Sequence, residues 1–135
     1  MSAKVVDASV IAAWCFREPR AAEALTIIRD ADIYAPLLLA YELTSIARKK
    51  ILTYRKQAGL IEEALRTALS MPIHWIDIDH LAVMHLAIQV NLTTYDACYL
   101  YVARKAGIPL ATFDENLEKA SRTEAAQGDS EIKKR

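Results

Sequence analysis

Four carboxylates far apart in the chain stand where acid side chains can act together: Asp7, Glu42, Asp96 and Asp114. Asp7 ends the apolar run Lys4-Val5-Val6, and a helix opens straight after it at Ala8-Ser9-Val10-Ile11. It therefore sits at the carboxyl end of a strand, the edge of an open parallel sheet where strand-to-helix turns gather and ligands bind. Asp114 follows Leu110-Ala111-Thr112-Phe113, a second strand leading through an acid into a helix. Asp96 starts a helix that must enter from the same edge if the next strand is parallel. Glu42 shares a helix face with Leu39 before it and Ile46 after it. Burying that acid costs on the order of several kcal/mol unless something pairs it.

Each acid also has an ordinary reading. Asp7 and Asp114 can cap the helices that follow them, Thr93-x-x-Asp96 has the form of a capping box, and Glu42 can reach water at the rim of the sheet. Together the four say more than they do singly. At about 4 Å and an effective dielectric of roughly 20, each like-charge pair costs about 4 kcal/mol, so a convergent cluster is untenable while ionised and bare. A divalent cation resolves it, and an all-oxygen set without His or Cys suits Mg²⁺ or Mn²⁺ better than Zn²⁺. A rival metal set is His74, His80 and His85 with Asp77 and Asp79. No pair of those histidines has the three- or four-residue spacing of a metal-binding helix face, so they read as partly buried or surface residues. Trp14, Trp75 and the tyrosines read as core or interface, with Tyr95, beside Asp96, the one to watch for base stacking.

The elements that must position these acids follow from hydrophobic periodicity and turn chemistry. After the first strand, Ala8 to Phe16 reads as a short helix, and Pro19 suits the first turn of another through Ala21, Ala24, Leu25 and Ile28. Ile33 to Ala35 is a second strand. Pro36 starts a helix with the apolar face Leu39, Leu43, Ile46 and Ala47. Gln57 to Met71 is amphipathic, with Leu60, Ile61, Ala64, Leu65, Ala68 and Leu69 at helical spacing. Ile73 to Ile78 alternates like a strand, and Asp79 caps the next helix, which runs to Val90. Thr93 and Thr94 open a helix over Tyr95 to Ala106 that Gly107 stops, Ile108 to Thr112 is the last strand, and Asp114 to Arg122 a closing helix.

Strands alternating with helices give an α/β class: one domain over residues 1–122, with a short, mainly parallel sheet of about four to five strands and about seven helices. The consecutive helices from Pro36 and Gln57 suggest an arm projecting beside the sheet. Residues 123–135 are polar and expected to be frayed or disordered. At 135 residues, 53% of them hydrophobic, the chain is long enough for a single core. Cys15 and Cys98 read as free buried thiols, which points to a reducing, cytoplasmic setting. No uncharged run reaches the roughly 18 residues of a membrane span, and the start lacks a leader pattern. Seventeen basic residues balance seventeen acidic ones, which excludes nucleic-acid binding by bulk positive charge. Any such binding must use local clusters, Arg48-Lys49-Lys50 with Arg55-Lys56, or Arg104-Lys105, which solvated helix ends also explain.

Val6-Asp7-Ala8-Ser9-Val10, Ala35-Pro36 with Tyr41-Glu42-Leu43, Leu92-Thr93-Thr94-Tyr95-Asp96-Ala97-Cys98-Tyr99-Leu100 and Pro109-Leu110-Ala111-Thr112-Phe113-Asp114, in this order and spacing, resemble a PIN domain. The likeness is to the VapC-type ribonuclease toxins of prokaryotic toxin–antitoxin pairs, and it spans residues 4 to about 121. It implies that Asp7, Glu42, Asp96 and Asp114 form the metal-binding acidic quartet of a Mg²⁺- or Mn²⁺-dependent endoribonuclease acting on single-stranded RNA. Ser9 and Thr112 match small hydroxyl positions beside the quartet. Asn116 falls where relatives often carry a further acidic or amide ligand, and Ser45 where an asparagine is frequent. The resemblance also implies a homodimer and a small antitoxin protein whose segment blocks the site. Charge alone nominates Arg48, Lys49 and Arg104 to guide the RNA. Two other classes compete: a non-catalytic PIN-like module that holds RNA or a protein partner, and a phosphotransfer receiver, which needs paired acids after the first strand and is disfavoured by the single Asp7.

Overall fold

Val5 and Val6 are both 0% exposed, although consecutive residues of a strand point to opposite faces, so the sheet they belong to is covered on both sides. A computed structural model describes residues 1–123. It runs β1 (Ser2–Val6), α1 (Ala8–Cys15), α2 (Ala21–Arg29), β2 (Ala31–Ala35), α3 (Leu38–Thr53), a 3-10 turn (Arg55–Gln57), α4 (Ala58–Leu69), β3 (His74–Trp75), α5 (His80–Val90), α6 (Thr94–Ala106) and β4 (Leu110–Ala111). A last helix, α7, covers 115–123. Among the described residues there are thus seven α-helices around one four-stranded sheet, ordered β3-β2-β1-β4 and parallel throughout, as the α/β expectation requires. The polar tail expected over 123–135 lies, from 124 on, outside the described residues.

The connections β1 to β2 and β2 to β3 step one way across the sheet, and β3 to β4 returns to the far side of β1. With right-handed crossovers, that reversal puts α1 to α4 on one face and α5 and α6 on the other. It also makes the β1–β4 boundary a topological switch point, where the turns at the carboxyl ends of the strands part and leave a crevice. Register delivers the acids to that place. Val6 pairs with Ala111, and the Asp7 amide donates to the Ala111 carbonyl at 3.3 Å, so Asp7 and Thr112 come next to each other at the end of the ladder.

Several elements are shorter than periodicity suggests, and proline is the common reason. The second strand stops at Ala35 because Pro36 has no N–H to give, and β3 can pair only with Tyr34 and Ala35. Ile73, Ile76 and Ile78, read as strand residues, instead pack on the core from irregular backbone. The last strand is likewise two residues long. Ahead of it Gly107 takes a left-handed conformation (φ 67°) that closes α6, with the Ile108 amide bonded to the Ala103 carbonyl, and Pro109 follows. The helices after Pro19 and Pro36 each begin two residues later, at Ala21 and Leu38. The pair α3 and α4 is not a projecting arm. Helix α4 folds back onto α3 and α1 and places Ala68 in the main core, while Leu60, expected on its apolar face, is 75% exposed. Cys15 and Cys98 are free thiols, and burial pushes the Cys15 thiol up to about 12, so it is inert as a nucleophile.

Candidate active site

Asp7 is the one charged residue in the described part of the chain that is buried, at 5% exposure. Such a carboxylate survives only if hydrogen bonds replace the water it has lost. The Ser9 hydroxyl donates to its Oδ1 at 2.6 Å, the Thr112 hydroxyl to its Oδ2 at 2.5 Å, and the Val10 amide to Oδ1 at 3.4 Å, the last as a helix cap for α1. Both hydroxyls, having given their protons to Asp7, accept from the turn after β4. Ser9 Oγ takes the Phe113 amide at 2.9 Å, and Thr112 Oγ1 the Asp114 amide at 3.0 Å. Two side chains thus sew the β1–α1 turn to the β4–α7 turn through one carboxylate. Asp114 stands at the exposed end of this web and caps α7, its Oδ1 accepting from the Leu117 amide at 2.8 Å.

The other two acids come from helices. Asp96 lies in the first turn of α6, where the capping box is half built: the Thr93 hydroxyl accepts from the Asp96 amide at 3.1 Å. The Asp96 carboxylate also takes a hydrogen bond from the Thr93 side chain, which pulls its pKa down against the effect of burial. Glu42 is half-buried on α3, and its partner is the Tyr99 hydroxyl, which donates to Oε1 at 2.5 Å.

Electrostatics ties the four together. Burial raises the Asp7 carboxyl above its ordinary value, against the pull of the Ser9 and Thr112 bonds. Burial likewise raises Glu42, opposed by its Tyr99 bond and helped by the charges of Asp7 and Asp96. For Asp96 burial comes first, then the charges of Asp114 and Asp7. Groups that shift one another in this way share a neighbourhood. Yet among the described residues no group of three or more His, Cys, Asp or Glu side chains is arranged to hold a metal ion. The acids are near enough for their charges to act on one another. The chemistry of the donor set, carboxylate oxygens with neither thiolate nor imidazole, fits Mg²⁺ or Mn²⁺.

The remaining sequence-nominated residues divide by position. Ser9 and Thr112 hold Asp7. Asn116 is exposed in the first turn of α7, and Ser45 is exposed on α3. Arg48 and Lys49 are exposed six and seven positions after Glu42 on α3, about 9–10 Å along the helix axis. Arg104 is at the opposite end of α6 from Asp96, about 12 Å away along the axis. His74, His80 and His85 are exposed and dispersed. His74 stacks on Tyr34 and bonds Asp32 at 2.7 Å, tying the short β3 to β2.

Two residues at the rim escaped the sequence reading. Tyr99, 1% exposed, looks like one more core aromatic. The available signal was Glu42 itself, an acid on an apolar helix face in need of a partner. Arg20 lies with its guanidinium 3.7 Å above the Phe113 ring, held there by paired bonds to Glu23 at 2.9 Å, and so braces the turn that carries Asp114. Tyr41 and Tyr95, the chain neighbours of Glu42 and Asp96, line a groove of about 800 Å³ together with Leu37, Ile78, His80 and other side chains. Leu37, Tyr41 and Tyr95 are all more than half exposed.

The chain is similar to known proteins in sequence and in fold. The sequence matches the PIN domain family over residues 4–123. It is 30% identical over 118 residues to Ribonuclease VapC3 of Pyrobaculum aerophilum, covering 84% of this chain and 90% of that protein. The structure is similar to the crystal structure of PAE2754 from Pyrobaculum aerophilum, with a TM-score of 0.70 at 25% identity, covering 88% of this chain and 79% of the other. No helix among the described residues is long and apolar enough to cross a membrane.

Proposed function

The chain belongs to the PIN domain family, and from that premise we propose that it is a Mg²⁺- or Mn²⁺-dependent endoribonuclease that hydrolyses phosphodiester bonds of single-stranded RNA. One observation carries the reading: Asp7, Glu42, Asp96 and Asp114, scattered over the sequence, meet closely enough at the switch point for their charges to act on one another. The similar Ribonuclease VapC3 supports the substrate class.

In this reading Asp7, Asp96 and Asp114 hold the ion, and Glu42 either joins them or accepts the proton of the attacking water as a general base. The chemistry such an ion supplies is a lowered pKa for water and neutralisation of the phosphate and leaving-oxygen charge. Ser9 and Thr112 aim Asp7 and favour its charged form, opposing the burial that raises its pKa. Asn116, exposed in the first turn of α7, is a candidate for an added polar ligand. The protein supplies position rather than a nucleophile, as phosphodiester hydrolysis by activated water requires. Arg48 and Lys49 are candidates to guide the RNA backbone toward the rim, and Arg104 serves at most a distant stretch of it.

The likeness to a VapC protein extends the proposal to the cell: a cytoplasmic toxin, homodimeric, silenced by a small antitoxin whose segment lies in the groove lined by Tyr41 and Tyr95. The exposed Leu37, Tyr41 and Tyr95 around that groove support a face covered by a protein partner. Coexpression with the neighbouring reading frame, followed by size-exclusion chromatography, is expected to give a heteromer; a lone monomer in both cases contradicts the assembly.

The catalytic reading is tested by cleavage of single-stranded RNA with Mn²⁺ by the wild-type, Asp7→Asn and Asp96→Asn proteins. Loss in both variants is expected, and undiminished cleavage refutes it. The competing reading is a PIN-like module that binds RNA or protein without cutting. Binding of RNA by a wild-type protein that never cleaves it would select that alternative.

A further inference from the structure

The nuclease reading uses four carboxylates and two hydroxyls and leaves Tyr99 without a task. Tyr99 is the largest fully buried side chain among the described residues, and phenylalanine would fill that space with no polar group to satisfy. Its position is specific. It stands one helical turn after Asp96 on α6, and its hydroxyl reaches Glu42 on α3 at 2.5 Å, with the Ala8 amide and the Asp7 charge beside it. Burial and then the Glu42 charge raise the phenol's pKa, so it remains a proton donor. Among the described residues Glu42 accepts no other hydrogen bond. A glutamate has three side-chain torsions to lose, and a half-buried one beside two like charges has every reason to swing out to water.

We propose that Tyr99 is a positioning residue for Glu42: its hydroxyl fixes one carboxylate oxygen at the rim and leaves the other open to a metal ion or the attacking water. This rests on the nuclease reading above for what Glu42 does. The bond joins α6 to α3, so the helix that carries Asp96 also sets where Glu42 points, and two of the four acids move as one unit. Outer partners of metal ligands commonly shift metal affinity about 10–100-fold.

The test compares wild type, Tyr99→Phe, Glu42→Gln and the double variant of the full chain. Mn²⁺ affinity is measured by calorimetry and the Mn²⁺ dependence of RNA cleavage by titration. Tyr99→Phe is expected to bind Mn²⁺ about tenfold more weakly, to need correspondingly more Mn²⁺ for half-maximal cleavage, and to cause no further loss in the Glu42→Gln background. A tyrosine that only packs would lower the melting temperature and leave the Mn²⁺ affinity alone. Unchanged affinity in Tyr99→Phe while wild type binds, or the same loss in both backgrounds, overturns the proposal and spares the nuclease reading. A wild-type protein that binds no Mn²⁺ overturns both. Should Tyr99→Phe not fold, proton NMR of the wild type decides: the Tyr99 hydroxyl resonance is expected to shift on saturation with Mg²⁺, and no shift overturns the proposal.

Discussion

Asp7 and Asp114 are carried by strand ends, and the bonds that hold them run to backbone amides and to the Ser9 and Thr112 hydroxyls, within turns that the β1–β4 register already brings together. Glu42 and Asp96 are carried by helices, and each of their carboxylates has one hydroxyl partner, Tyr99 for Glu42 and the capping Thr93 for Asp96. Half of the rim is therefore built by a web of bonds between the strand-end turns, while each acid of the other half is held by a single hydroxyl. The contrast teaches that burial and preorganisation travel together. The nearly inaccessible Asp7 carries the densest hydrogen-bond web, and the half-buried Glu42 and Asp96, with one hydroxyl each, keep more freedom to turn.

The strongest way to break this comparison is to remove the charge at its fixed point. Asp7→Asn is expected to lower Mn²⁺-dependent RNA cleavage by more than about 100-fold, beyond the usual cost of losing an outer partner of a metal ligand. Because it also removes a buried charge, the same change is expected to leave metal-free stability equal or higher in urea unfolding. A large loss of stability instead would make Asp7 a structural group.

Next in size is the effect of the ion. Mn²⁺ at about one hundred times its dissociation constant is expected to stabilise the protein by about 2.7 kcal/mol, read as a rise in melting temperature that Asp7→Asn abolishes.

Third is the web around Asp7. Thr112→Val leaves a buried carboxylate oxygen short of a donor and is expected to cost about 1–3 kcal/mol, whereas Tyr99→Phe frees a carboxylate that can turn to water and is expected to cost about 1 kcal/mol or less. Equal costs would erase the distinction between the two halves.

The smallest expected effect is on pH dependence. Folding raises Asp7, Glu42 and Asp96 above their ordinary values of 3.8, 4.5 and 3.8, chiefly by burial. The folded state thus holds their protons more tightly than the unfolded state. Their contribution to stability is fully present below about pH 4 and is lost as pH rises through the raised values. Relative to Asp96→Asn, metal-free wild type should therefore lose stability as pH rises from 4 toward 7. A parallel pair of pH profiles would contradict the shared neighbourhood of these acids.

The strand half of the rim was legible in the sequence because strand ends and helix caps are local. An apolar run ending in an acid, followed by a helix, places Asp7 and Asp114 at one edge once the strands are parallel, and the caps of α5, α6 and α7 stand where Asp79, Thr93 and Asp114 predict. The helix half was legible only as a need. Glu42 on an apolar face required a partner, but the partner is 57 positions away, a distance that periodicity cannot bridge. Strand lengths in β3 and β4 were overstated because a strand's extent belongs to its neighbour's free donors, and prolines remove them. Leu60 was misplaced and α4 expected to project because the amphipathic pattern of α4 does not reveal that the helix folds back across α3 to α1.

The most direct measurement is the anomalous diffraction of a Mn²⁺-soaked crystal of the full chain. A peak within about 2.1 Å of an Asp7 oxygen, with Asp96 or Asp114 completing its ligands, is the expected result. A site bare of Mn²⁺, or a peak held by residues away from the carboxyl ends of β1 and β4, would contradict the account.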